Sequence, residues 1–161
     1  QYMNVIRCKT AMLFEASTHT AAILSGAPLK LERSLADYGN FLGIAFQLID
    51  DLLDYDGNSE CTGKNLGEDL AEGKPTLPLI YTMANGSTEQ QLLVRQAIQK
   101  GGLDNIDNVM QAVRSSGALE YTAQKAKTFV TKAMTALDYL PASKYRDAMK
   151  DLAQFAAERT H

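Results

Sequence analysis

The apolar residues of this chain return every three or four positions almost without interruption, and that spacing limits the fold more than any other feature. Side chains three and four apart share a helix face, whereas a strand would need alternation at two. The pattern divides into helices wherever turn chemistry intervenes. The first runs from about Tyr2 to Ser25 and stops at Gly26, with Pro28 just beyond. A second runs from near Leu31 through Tyr55, followed by a loop over Asp56 to Gly67 that is rich in glycine, asparagine, serine and threonine. A third starts at about Pro75, where the first turn tolerates proline, and ends near Asn85-Gly86. Ser87 or Thr88 can cap the next, which ends at Gly101-Gly102. Ile106 to Ser115, Ala118 to Tyr139 and, past Pro141, Ser143 to Glu158 complete the set. No β-alternation competes, and no repeat or linker divides the chain. The expectation is all-α, with residues 1–161 forming one domain.

Charge narrows the function classes. The formal net charge is −3, so no basic field awaits nucleic acid or an anionic membrane surface. A phosphate-bearing substrate would have to be held by a few placed cations or by bound metal. Apolar stretches are short and broken by Gln47, Asp50 or Pro78, so none spans a bilayer. Cys8 and Cys61 lack metal or redox spacing, and two cysteines make no disulfide framework, which points to a reducing cytoplasm. The chain opens at Gln1 inside an amphipathic pattern, from which a piece of a longer polypeptide is expected.

The stretch that carries chemistry is Phe46-Gln-Leu-Ile-Asp-Asp-Leu-Leu-Asp54. At helical spacing Gln47, Asp50, Asp51 and Asp54 fall within an arc of about 100°, with Phe46, Leu48, Ile49, Leu52 and Leu53 on the other side. Asp50 and Asp54 are one turn apart, so their carboxylates can reach a common point. Like charges on one short face repel, and aspartate is a poor helix former. Helix energetics thus oppose the cluster unless something positive covers it. Hard oxygen donors without histidine or thiolate suit magnesium, which favours carboxylate, water and phosphate. A solvated acidic face explains the stripe about equally well on its own. The loop that follows tips the balance, because it sets Lys64 and Lys74 beside glycines, with Asp69 between them. The lysine spacing does not fit a P-loop, so a nucleotide reading fails.

At these residues the sequence resembles the trans-polyprenyl diphosphate synthases. Phe46-Gln47-x-x-Asp50-Asp51-x-x-Asp54 looks like their second aspartate-rich motif. Gly63-Lys64 through Gly67, Asp69 and Gly73-Lys74-Pro-Thr-Leu-Pro78 resemble the loop after it, and Lys9-Thr10 the family's lysine-threonine pair. The likeness extends over essentially the whole chain and lies in the medium- and long-chain branch, nearest the bacterial octaprenyl-forming members that make the ubiquinone side chain. It implies the C-terminal portion of an isoprenoid synthase-type helical bundle. The family's first aspartate-rich motif, which lies upstream, has no counterpart in these residues.

For the intact enzyme, the resemblance implies condensation of isopentenyl diphosphate onto an allylic prenyl diphosphate, with Mg2+ as cofactor and a homodimer as the assembly. It makes Asp50 a direct magnesium ligand, has Asp51 and Asp54 hold metal-bound waters, and sets Asp69 behind them. Lys9, Thr10, Lys64 and Lys74 would contact diphosphate, and Gln47 would orient a water or face the developing cation. Blander readings stand beside these: Lys9 as a solvated helix residue and Thr10 back-bonded to its own helix. Phe14, Phe41, Phe46, Tyr81, Phe129 and Phe155 read as core, His19 as a polar spot, and Arg159 as a fraying end. With half of an active site, this polypeptide alone is expected to be inactive. A non-catalytic regulatory subunit of a heteromeric synthase is the alternative. A related terpenoid cyclase fits less well, because those use an Asn/Ser/Glu-type second metal motif.

Overall fold

The computed structural model describes residues 1–56, 67–100 and 105–158. Helix α1, Tyr2–Ile6, passes through a π turn at Arg7–Ala11 into α2, Met12–Leu24. A π turn adds one residue to the helical repeat and re-aims the side chains it carries; here it carries Lys9 and Thr10. Gly26, at φ +67°, ends α2. Its N–H donates to Ile23 and that of Ala27 to Ala22, at 3.0 and 3.1 Å, which is a Schellman closure. Helix α3 is Leu29–Leu53, and α4 is the short Glu68–Ala71. Then come α5, Leu77–Asn85; α6, Thr88–Lys100; α7, Ile106–Ser115; α8, Ala118–Ala136, which tightens into a 3-10 turn at Leu137–Tyr139; and α9, Lys144–Glu158. Among the described residues every regular element is helical.

Most helix limits match the periodicity, and the departures have local causes. Helix α3 stops at Leu53, short of the Tyr55 expected, because Asp54 and Tyr55 turn out of it to meet other elements. Helix α5 begins at Leu77, not Pro75. Thr76 there adopts extended backbone as the N-cap, and Pro78 sits in the first turn. Helix α4 was hidden within the loop pattern, since four residues carry no period. Ser87 and Gln90 form the expected cap before α6, each side chain bonding the other's amide, at 3.3 and 2.7 Å.

The chain groups into two compact units. The first comprises Gln1, Met3–Ile49 and the chain from Lys125 onward. Its core includes Tyr38, Leu42, Ala45, Val130, Ala133, Leu137, Ala153 and Ala156. The Tyr38 hydroxyl donates to the Met149 carbonyl at 2.8 Å, so the buried phenol keeps a partner. Glycine lets α3 approach the first helical rod closely: a Cβ on Gly43 would lie 2.6 Å from the Ala11 Cα. The second unit comprises Tyr2 and Asp50–Gln124. Tyr55, Leu70, Leu79, Val94, Val109 and Val113 fill its interior, all with no measurable exposure. The aromatics expected as core divide: Phe14 and Phe46 pack at a centroid distance of 5.6 Å, and Phe41 meets Phe129 at 6.2 Å. Phe155 instead lies 62% exposed on α9.

Candidate functional site

The acidic stripe occupies the last turns of α3, and its carboxylates have specific environments. Asp51 is 2% exposed and Asp54 is 6% exposed, so neither belongs to a solvated face. Burying a carboxylate is costly unless donors or cations face it. Each of the two has donors. Asp51 accepts a short hydrogen bond from the Tyr2 hydroxyl. Asp54 accepts from the backbone amides of Glu68 at 3.1 Å and Asp69 at 3.2 Å. The Asp54 side chain therefore closes the N-terminus of α4, while its own carbonyl receives the Gly67 amide at 3.0 Å. Gly67, at φ +75°, makes the turn that presents those amides.

At Asp54 the donors do not cancel the charge. Burial, helped by the neighbouring Asp69 and opposed by the two amides, pushes the Asp54 carboxyl up to about 6. A carboxyl so destabilised as an anion sits where positive charge is wanted. Burial and the Asp51 charge drive the Tyr2 phenol well above its ordinary value, so it stays a donor. Tyr55, fully buried, takes a 3.2 Å hydrogen bond from Thr76, which ties the end of α3 to the residue capping α5.

Asp69 and Lys74, singled out together in the sequence, do meet. The Lys74 ammonium lies 3.2 Å from the Asp69 carboxylate and also pairs with Glu72. Lys74 stays 44% exposed as a side chain, so it retains access to solvent-borne anions. Lys64 falls outside the described residues, as does Arg159.

The first unit carries the other polar residues. Thr10, half-buried, donates to the Gln47 side-chain oxygen at 2.8 Å. The π turn thus aims Thr10 across to the next helix, which overrides the back-bond within its own helix that composition alone favours. Lys9 is exposed. His19 pairs with Glu32 at 2.7 Å, in keeping with a polar spot.

Among the described residues, no three carboxylate, imidazole or thiol groups converge closely enough to hold a metal ion unaided. Asp50, Asp51 and Asp54 share a stripe without sharing a point, because Asp51 turns to Tyr2 and Asp54 to α4. The donor set still fits magnesium chemistry, which favours carboxylate oxygens, water and phosphate, and two of the three carboxylates are nearly buried. Sequence reasoning missed Tyr2. A signal was present, since Tyr2 lies seven residues, two helical turns, before Lys9.

The polyprenyl synthetase family model matches residues 1–115. Octaprenyl diphosphate synthase of Escherichia coli is 48% identical over 98% of this chain and 49% of its own length. A polyprenyl synthase of Caulobacter crescentus, solved with calcium and isoprenyl diphosphate, superposes with a TM-score of 0.92 at 38% identity, covering 99% of this chain and 49% of that one. Geranylgeranyl pyrophosphate synthase of Corynebacterium glutamicum, solved with isoprenyl diphosphate and magnesium, gives 0.88 at 30% identity, covering 98% and 46%. The chain thus spans about half the length of the relatives it matches. These likenesses do not favour the reading as a silent regulatory subunit. No helix among the described residues is long and apolar enough to cross a membrane.

Proposed function

The chain belongs to the polyprenyl synthetase family, and on that premise we propose that it supplies the C-terminal half of a trans-polyprenyl diphosphate synthase. The whole enzyme would extend an allylic diphosphate with isopentenyl diphosphate, as a homodimer in the cytoplasm, and its product would be the octaprenyl chain of ubiquinone. The observation that supports this reading is the stripe of Asp50, Asp51 and Asp54, two of them nearly buried, with an anion-accessible Lys74 held at Asp69.

Asp50 would hold the cation directly, with Asp51 and Asp54 holding its waters. Bound Mg2+ supplies charge stabilisation for the diphosphate as it leaves. Lys9, Thr10, Lys64 and Lys74 bind diphosphate oxygens; the lysines act as point charges, while the Thr10 hydroxyl donates. Asp69 keeps Lys74 oriented through their 3.2 Å pair. Gln47, whose side-chain oxygen receives Thr10, would orient a water or face the developing cation. The leaving group's growing charge is where electrostatic stabilisation by such groups would gain most.

The test is mass analysis of products formed by the whole synthase from farnesyl and isopentenyl diphosphates with Mg2+. An eight-isoprene product is expected, and absence of magnesium-dependent elongation sinks the reading. The 161-residue chain alone is expected to give no turnover; robust activity from it would show that the other half is not needed.

A further inference from the structure

We propose that Tyr2 is a positioning residue for the divalent-cation site, its phenol setting the orientation of the Asp51 carboxylate. The inference rests on the reading of the acidic stripe given above. Two observations carry it. The Tyr2 hydroxyl donates to Asp51 Oδ2 across 49 residues of sequence, so the contact is a product of folding and not of helical neighbourhood. Asp51 is 2% exposed, where a carboxylate's alignment is decided by protein donors and not by bulk water.

The type of donor matters. A lysine or arginine at this point would neutralise Asp51 and compete with the cation. A phenol holds the carboxylate plane and adds no charge of its own. Such outer partners fix ligand direction, and their loss weakens metal affinity by about ten- to a hundredfold.

The experiment titrates Mn2+ calorimetrically into the chain in the presence of inorganic pyrophosphate, with helicity checked by circular dichroism. Wild type, Tyr2→Phe, Asp51→Asn and the double variant are compared. Tyr2→Phe is expected to weaken Mn2+ binding about tenfold, and to weaken it no further in the Asp51→Asn background. Wild-type affinity in Tyr2→Phe alongside weak binding in Asp51→Asn overturns the inference. So does a Tyr2→Phe loss that persists undiminished in the double variant, since that loss is not routed through Asp51. Should Tyr2→Phe lose helicity, the Tyr2 Cζ resonance of wild type, labelled with 13C, supplies the second readout. It is expected to shift on adding Mg2+ with pyrophosphate and to stay put in Asp51→Asn; an unmoved wild-type resonance overturns the proposal. Wild type that takes up no Mn2+ while fully helical overturns the reading of the site itself, a different failure.

Discussion

Gln47 and Asp51 lie one turn apart on the same stripe of α3, yet the two positions solve different problems. At Gln47 the polar group is neutral, and its side-chain oxygen accepts from the Thr10 hydroxyl at 2.8 Å. At Asp51 a phenol donates to the carboxylate, and at Asp54 two backbone amides do. The Asp54 carboxylate is thus hydrogen-bonded, yet burial and the Asp69 charge outweigh its two amides, and its carboxyl rises to about 6. Hydrogen-bond satisfaction and charge balance are separate requirements, and Asp54 meets only the first.

The comparison breaks most sharply at Asp50. In the whole synthase Asp50→Ala is expected to lower kcat/KM by about a hundredfold or more, on the scale of losing a dedicated charge-stabilising group. Activity within a few-fold of wild type, in a steady-state assay with saturating Mg2+, would mean the acidic turn has been misread. Next in size is a packing change on the neutral side. Gly43→Val forces a Cβ to within 2.6 Å of the Ala11 Cα and adds methyls besides, so stability should fall by about 3 kcal/mol. Urea denaturation followed by circular dichroism measures it. A change under half that size would show that the rod carrying Lys9 and Thr10 can simply step back.

A smaller effect separates the two regions by pH. The Asp54 carboxyl holds its proton more tightly folded than unfolded, being raised to about 6. Its contribution to stability is therefore fully present below about pH 4, the unfolded carboxyl range, and is lost as pH rises through 6. The difference is on the order of 2 kcal/mol in metal-free buffer. Melting curves between pH 4 and 7 should show this decline in wild type and a flatter profile in Asp54→Asn, and Mg2+ with pyrophosphate should reduce the decline. An unchanged slope in Asp54→Asn would remove Asp54 from the account. Smallest is Thr10→Val, which deletes the donor to Gln47 and should cost about 1 kcal/mol. The same denaturation series checks it, and no loss at all would mean that water replaces the hydroxyl freely.

Much of this was legible before any coordinates. Helix α7 matches its expected limits, Ile106–Ser115, because its apolar face repeats cleanly and Gly117 follows it. The acidic stripe was legible for the same reason: spacing along one helix is local geometry. The Asp69 and Lys74 pair was near enough in sequence to anticipate. Helix α4 was not, since four residues within a glycine-rich loop give no periodic signal. Its formation depends on Asp54 reaching across 14 and 15 residues to receive the first amides.

What the residues alone determined is the helical class, the order of helices and the crowding of acids on one stripe, all properties set by neighbours within a turn or two. What only the tertiary structure decided is which partners meet that stripe. Tyr2 reaches Asp51 from 49 positions away, Thr10 reaches Gln47 from 37, and glycine at 43 admits the rod that bears Thr10. Periodicity says that a face is polar. Only packed helices, with a π turn shifting the register of one of them, say which hydroxyl faces which carboxylate.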